Sequence, residues 1–82
     1  MYLDEVRTIL IDTLALGPRG AALQADSPLL GALPELDSMA VISVIGALEE
    51  QFGIAIDDDD ISAETFATLG SLAAFVRAKS AA

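Results

Sequence analysis

One hydroxyl in this chain is placed for chemistry, in the segment Glu35-Leu36-Asp37-Ser38-Met39. Ser38 opens an apolar segment of helical periodicity. The first turn of a helix presents unpaired backbone N–H groups and the positive end of the helix dipole, so a phosphate on this hydroxyl would be well placed. Asp37 is itself a preferred N-cap residue, which would leave the Ser38 hydroxyl free; the alternative is that Ser38 is an ordinary N-cap.

The residues around Ser38 cannot make it a catalyst. The chain has no His and no Cys, and a nucleophilic serine needs an adjacent base. The remaining candidates are carboxylates and Lys79, which lies in a tail, residues 79–82, that we expect to fray. We therefore exclude an enzyme and predict that Ser38 is a point of attachment.

A run of four carboxylates, Asp57 to Asp60, invites a metal interpretation because hard cations bind several carboxylates. The run lacks the alternating spacing, the internal glycine and the terminal glutamate of a calcium loop. We predict a solvated acidic loop and no metal site.

Composition narrows the class of protein. Eighty-two residues make one small domain over residues 1–82, and the core is aliphatic because hydrophobic residues are 54% of the chain and aromatic residues 5%. A net charge of −9 disfavours binding to nucleic acid and favours binding to basic protein surfaces.

The first residues lack the features of a signal peptide. The longest apolar run, 39–48, is half of the about 20 residues that cross a bilayer. We expect a cytoplasmic monomer that is not an integral membrane protein.

Apolar spacing predicts the helices. The first helix runs over Leu3 to Leu16 and stops at Gly17-Pro18, and a long connection follows over residues 19–37. We expect this connection to be held on the bundle by Leu29, Leu30, Leu33 and Leu36.

The second helix runs from Ser38 to Phe52 and ends at Gly53, a left-handed cap. Its predicted core stripe is Val41, Ile45, Leu48 and Phe52. A short helix is predicted over 62–66, and a last helix is capped by Thr68 and runs to about Ala78, with Leu69, Leu72 and Val76 facing inward. The fold class is all-α: a small bundle of three main helices and one short helix, with a long loop between helices 1 and 2.

The second helix carries unusual residues off its core stripe. Met39 and Ile42 are apolar and lie on the side near Ser38, which indicates a docking surface. Gly46 costs about 1 kcal/mol relative to alanine in a helix interior. Either a partner approaches closely there or the surface tolerates the glycine.

With these segments the chain resembles the acyl carrier proteins, which are small acidic four-helix domains. The family's Asp-Ser-Leu motif stands here as Asp37-Ser38-Met39, preceded by Leu30-Gly31. The end of the family's second helix stands as Ala47 to Ile54, and the opening of its last helix stands as Thr68 to Leu72. The resemblance covers nearly the whole chain.

The resemblance implies a function for Ser38. A phosphopantetheinyl transferase would move 4′-phosphopantetheine from coenzyme A onto its hydroxyl, with Asp37 and Met39 as the flanking motif. The cofactor's thiol would then hold acyl groups as thioesters for acyl-loading and acyl-using enzymes.

The resemblance also bears on partners. Met39, Ile42, Glu49 and Glu50 would meet basic or mixed apolar patches on partner enzymes. Carriers of fatty acid biosynthesis place acidic residues early in the second helix, where this chain has Ala40 and Ser43. This departure favours a specialised lipid or secondary pathway. Two alternatives stay open: a peptidyl or aminoacyl carrier, such as a D-alanyl carrier, and an unmodified acidic helical adaptor.

Overall fold

The structure, a computed structural model, describes residues 2–81, apart from the side chains of Asp58 and Ala81. It contains four α-helices and one 3₁₀ turn, and no named strand occurs in this range. The elements are α1 (Leu3–Leu14), α2 (Pro18–Ala21), α3 (Ser38–Phe52), the 3₁₀ turn Asp58–Asp60, and α4 (Leu69–Ala81). The all-α prediction of three main helices, one short helix and a long loop is confirmed.

The core lies between α1, α3 and α4. α1 packs against each of the other helices, and α3 also contacts α4. The buried apolar side chains are Val6, Leu10, Leu14, Leu16, Leu29, Leu36, Val44, Ile45, Leu48, Phe66, Leu69, Leu72, Ala73 and Val76. Nearly all are aliphatic, as the composition predicts.

The buried face of α3 is turned relative to the predicted stripe. Ile45 and Leu48 are buried as predicted, but Val44 is buried too, while Val41 and Phe52 are only partly buried. α3 contacts both α1 and α4, so its buried face is wider than one line of side chains. The Phe52 ring packs edge-on against Tyr2, with 5.1 Å between the ring centroids.

α1 ends two residues earlier than predicted. Ala15 takes a left-handed conformation, with φ of 53°, and its N–H donates to the Ile11 carbonyl. The Leu16 N–H donates to the same carbonyl at 3.1 Å, and the Leu16 side chain is buried. This is a helix-ending turn with its usual apolar contact, formed here without glycine at the cap.

The short α-helix lies in a different place from the one predicted. α2 begins at Pro18, whose fixed φ suits a first helical position. Residues 62–66 form turns instead. The Ser62 hydroxyl accepts the Thr65 N–H at 3.2 Å and lies 3.1 Å from the Thr65 hydroxyl. The Phe66 N–H donates to the Ser62 carbonyl, but the turn does not continue, because the Phe66 and Ala67 carbonyls accept the N–H groups of Leu30 and Leu29. The predicted helix over 62–66 is therefore wrong.

The second half of the long connection is held on the bundle. Leu29 and Leu36 are buried and Leu33 is partly buried, as predicted, but Leu30 is 44% exposed. Backbone bonds from Leu29 to the Ala67 carbonyl, 2.9 Å, and from Leu30 to the Phe66 carbonyl, 3.1 Å, pair this segment with the one before α4. Successive side chains of an extended segment point to opposite sides, which puts Leu29 inside and Leu30 outside.

α4 begins as predicted. The Thr68 hydroxyl accepts the Ser71 N–H and the Ser71 hydroxyl accepts the Thr68 N–H, each at 3.0 Å. This is a reciprocal cap. The helix continues to Ala81, past residue 79 where fraying was expected, and Lys79 Nζ lies 2.6 Å from Asp60 Oδ2. Ala82 lies outside the described residues.

The Lys79–Asp60 pair predicts a pH dependence of stability. The hydrogen bond from the Lys79 ammonium lowers the pKa of Asp60 below 3.8, and the same bond raises the pKa of Lys79 above 10.5. The Asp60 contribution is therefore complete above pH 3.8 and is lost as pH falls through the folded-state pKa. The Lys79 contribution is complete below pH 10.5 and is lost as pH rises further.

We expect Asp60→Asn to lower the urea midpoint slightly at pH 7, because the pair is partly exposed. The difference from wild type should vanish as the pH is lowered well below 3.8. Asp59→Asn is the matched control, since Asp59 is an exposed neighbour with no ion pair among the described residues. Equal midpoints for the two variants at pH 7 would contradict the prediction.

Candidate functional site

Asp37, and not Ser38, is the N-cap of α3. Asp37 has an extended backbone, with φ of −96° and ψ of −174°, and its Oδ1 accepts the Ala40 N–H at 2.8 Å. Its carbonyl accepts the Val41 N–H at 2.9 Å. The alternative in which Ser38 is an ordinary N-cap is therefore wrong, because the neighbouring carboxylate already makes that bond.

Ser38 is the first residue of α3 and is exposed. Within residues 2–81 its hydroxyl makes no hydrogen bond, and the N–H groups of Ser38 and Met39 have no partner either. An exposed hydroxyl beside two unpaired N–H groups, at the positive end of a 15-residue helix, suits a phosphodiester. The residues present therefore fit a phosphate-linked group on this oxygen.

Exposed apolar side chains lie close to Ser38 in the chain. Met39 is 72% exposed and Ile42 is 64% exposed, as predicted for a docking surface. Leu30 is also a large exposed hydrophobic residue, although the sequence predicts that it helps to hold the long connection on the bundle. The extended segment around Leu29 and Leu30 is too short to show a two-residue periodicity. The sequence therefore does not indicate which of these two leucines faces outward.

The two glutamates near the end of α3 differ in their surroundings. Glu50 is exposed. Glu49 is partly buried, and its Oε2 accepts the Ile56 N–H at 2.8 Å. Its carbonyl also accepts the N–H groups of Gly53 and Ile54. Glu49 thus stabilises the chain that follows α3, so Glu50 is the more available of the two for a partner.

An ion pair that the sequence does not reveal lies just before the site. The Arg19 guanidinium in α2 pairs with the Glu35 carboxylate, which precedes the buried Leu36 and the cap Asp37. The two residues are far apart in the chain, and no local pattern links them. The pair ties α2 to the segment that leads into Ser38.

The capping geometry predicts how Ser38, the predicted point of attachment, responds to a change at Asp37. Asp37→Ala removes the bond to the Ala40 N–H and should cost about 1 kcal/mol of stability. The Ser38 hydroxyl then becomes the nearest group able to cap the helix, so its modification should slow. Urea unfolding and the rate of modification by coenzyme A and a transferase measure the two effects.

Asp37→Asn is the matched control, because asparagine keeps a capping oxygen. It should remain close to wild type in stability. If Asp37→Ala and Asp37→Asn unfold at the same urea concentration, the cap does not contribute as described.

An apolar cavity lies away from Ser38. Its volume is about 430 Å³, and it lies between the start of α1 and α4, lined by Tyr2, Leu3, Ala25, Gly70, Ala73, Ala74, Arg77 and Ala78. The contact between Tyr2 and Phe52 places the start of α1 at the end of α3 opposite Ser38. Ser38 therefore lies on an exposed surface and does not line this cavity.

Two other features bear on function. Across the part of the chain that the structure describes, no group of three or more His, Cys, Asp or Glu side chains could hold a metal ion. No helix between residues 2 and 81 is both long enough and apolar enough to cross a membrane.

Comparisons with known proteins show the family to which the chain belongs. The family model described as "Phosphopantetheine attachment site" matches residues 4–76. The solution NMR structure of a holo acyl carrier protein from Nitrosomonas europaea is 58% identical in sequence, with a TM-score of 0.93. The match covers 100% of this chain and 99% of that chain.

The family match spans most of the chain and the structural match spans all of it. Both agree with the resemblance found in the segments around Ser38 and Gly53, and both support phosphopantetheine as the prosthetic group. Members of this family receive their prosthetic group from a phosphopantetheinyl transferase and carry acyl groups for acyl-processing enzymes, and they are carriers and not enzymes. The chain belongs to the acyl carrier protein family, the phosphopantetheine-bearing carriers of acyl groups.

Proposed function

We propose that Ser38 is the residue that carries 4′-phosphopantetheine, and that the chain serves as an acyl carrier. The proposal depends on the different roles of two adjacent residues, Asp37 and Ser38. Asp37 makes the capping bond, so the Ser38 hydroxyl is left exposed at the first turn of α3. The related Nitrosomonas europaea protein was solved in its holo form, which supports the same state here.

The attachment is a phosphoryl-type transfer to an alcohol. The Ser38 oxygen forms a bond to phosphorus in the phosphopantetheine half of coenzyme A. The bond from that phosphorus to the bridging oxygen breaks, so the nucleotide half leaves as a bisphosphate with the electron pair. A base of the transferase takes the hydroxyl proton. When bound, the group supplies a thiol, which a chain without cysteine cannot provide itself.

The first turns of α3 support a specialised lipid or secondary pathway. Ala40 and Ser43 place no carboxylate there, whereas Met39 and Ile42 present exposed apolar side chains. A partner enzyme for this surface needs an apolar centre, with basic groups toward Glu50. We expect the carrier to act as a cytoplasmic monomer, because copies with a net charge of −9 repel one another.

Intact-mass spectrometry tests the attachment. After incubation with coenzyme A and a phosphopantetheinyl transferase, the chain should gain the mass of one phosphopantetheine, and fragmentation should place it on Ser38. A gain on another residue contradicts the site. No gain leaves an unmodified acidic adaptor as the better description.

The cargo can be tested with the holo chain. An acyl–acyl carrier synthetase supplied with fatty acids should load it, whereas a D-alanine-activating ligase should not. Loading by the ligase alone would favour an aminoacyl carrier over an acyl carrier.

A further inference from the structure

The apolar cavity between the start of α1 and α4 is lined by small residues of α4. These residues lie on one face of the helix, since residues three or four apart are neighbours there. They are Gly70, Ala73, Ala74 and Ala78. Side chains no larger than a methyl group leave a volume of about 430 Å³. Pockets that bind small molecules have volumes of about 300–1,000 Å³, so this cavity is large enough for a small ligand.

One wall of the cavity depends on a close approach between two backbones. The Gly70 N–H donates to the Ala25 carbonyl at 2.7 Å. A Cβ atom at residue 70 would lie 2.7 Å from the same oxygen, so glycine is needed for this approach. The long connection is thereby held against the first turn of α4, and Ala25 becomes part of the lining.

The charge of the lining is opposite to that of the chain. The net charge of the chain is −9, yet the lining contains Arg77 and no Asp or Glu. Arg77 is exposed and has no ion pair within residues 2–81. The other three basic residues, Arg7, Arg19 and Lys79, each pair with a carboxylate. The cavity therefore combines an aliphatic wall with one cation that is available to a ligand.

We propose that this cavity binds a free aliphatic carboxylate, such as a medium-chain fatty acid. The hydrocarbon chain lies against the alanine face of α4, because burial of apolar surface is favourable. The carboxylate pairs with the Arg77 guanidinium, whose planar N–H groups match both carboxylate oxygens. A monoanion suits the cavity better than a phosphate dianion, since the remainder of the acidic chain repels a dianion more strongly.

The proposed ligand comes from solution and is separate from any group on Ser38. Ser38 begins α3, and the contact of Tyr2 with Phe52 lies at the other end of that helix. At 1.5 Å per residue, the two ends of α3 are about 20 Å apart. Binding therefore requires neither Ser38 nor a prosthetic group, and it can be measured on the unmodified chain.

An NMR titration of the unmodified chain with sodium octanoate tests the proposal. The titration gives Kd, and the methyl groups that shift locate the ligand. The methyl signals of Ala73, Ala74 and Ala78 should shift in a saturable way, because these residues line the cavity. The methyl signals of Leu48, which is buried in α3 and does not line it, should stay in place.

A charge variant tests the role of Arg77. Arg77→Gln should raise the Kd of octanoate about fivefold, the loss expected for a charge contact that is open to solvent. The Kd of 1-octanol, which has the same chain length and no charge, should not change. Arg19→Gln is the matched control, because it removes the same charge from α2, outside the cavity. It should bind octanoate as wild type does.

A second variant fills the cavity. Ala74→Leu should abolish the shifts caused by octanoate and by 1-octanol, because its side chain occupies the space that the ligand needs. Ala21→Leu adds the same bulk at an exposed position of α2 and should bind both compounds normally. Thermal melting of every variant shows whether it is folded.

The proposal is overturned if octanoate shifts no methyl group of the lining, or if Arg77→Gln binds it as tightly as wild type. It is also overturned if an octanoyl group carried on Ser38 shifts these methyl groups and free octanoate does not, since the cavity would then hold the carrier's own cargo. Dimers that form in wild type and not in Ala74→Leu, without octanoate binding, would mean that a second copy covers the cavity. None of these results bears on the attachment at Ser38, which the mass measurement tests by itself.

Discussion

Ser38→Ala is expected to gain no mass with coenzyme A and a transferase, under conditions in which the wild-type chain gains one phosphopantetheine. The loss should not come from unfolding. Asp37 makes the capping bond, so the substitution removes no hydrogen bond among the described residues. Alanine is also the best helix former, and the melting temperature should stay at or slightly above that of wild type. Intact mass and circular dichroism melting measure the two properties on the same samples.

The other serines supply the control for Ser38→Ala. The hydroxyls of Ser27, Ser62 and Ser71 take part in local hydrogen bonds, and the Ser80 hydroxyl oxygen is buried. Ser43 is exposed, but it lies in the second turn of α3, away from the unpaired N–H groups. Ser43→Ala should therefore be modified at the wild-type rate. If the Ser38→Ala variant is still modified and the Ser43→Ala variant is not, the attachment site is Ser43 and not Ser38.

The parts of the fold that the sequence predicted well depend on strong local signals. Both ends of α3 are where the residues placed them, because a carboxylate caps the first turn at Asp37 and Gly53 supplies the left-handed turn at the end. The start of α4 is equally local, since Thr68 and Ser71 cap each other. The candidate site also depends on local signals. The sequence alone therefore predicts the positions of Asp37, Ser38, Met39 and Ile42 on α3.

The parts that could not be predicted depend on tertiary contacts or on weak local competition. Leu29 and Leu30 have the same side chain, and only their pairing with the segment before α4 decides which one is buried. Val44 becomes a core residue because α3 has two helical neighbours. The partial burial of Glu49 follows from the path of the chain after α3, which brings the Ile56 N–H back to its carboxylate. No periodicity in the sequence predicts that the Ile56 N–H lies beside the Glu49 carboxylate.

The second large effect is expected for Leu48→Ala. Leu48 is fully buried in α3, and truncation of a buried leucine to alanine typically costs about 2–5 kcal/mol, including the cavity left behind. A domain of this size is stable by about 4–12 kcal/mol in total, so the variant should lose a large fraction of its stability. Urea unfolding measures the loss.

Met39→Ala is the matched variant on the same helix, and together the two substitutions separate folding from recognition. Met39 is 72% exposed, so its truncation should change stability by less than about 0.5 kcal/mol, as for an ordinary surface position. It should nevertheless slow transfer to Ser38, because the lost side chain is exposed directly beside this hydroxyl in the chain. Leu48→Ala should be modified at close to the wild-type rate at low temperature and without urea, where enough of it remains folded. If Met39→Ala destabilises the protein as much as Leu48→Ala does, the exposed face of α3 is structural, and the separation between its core side and its docking side does not exist.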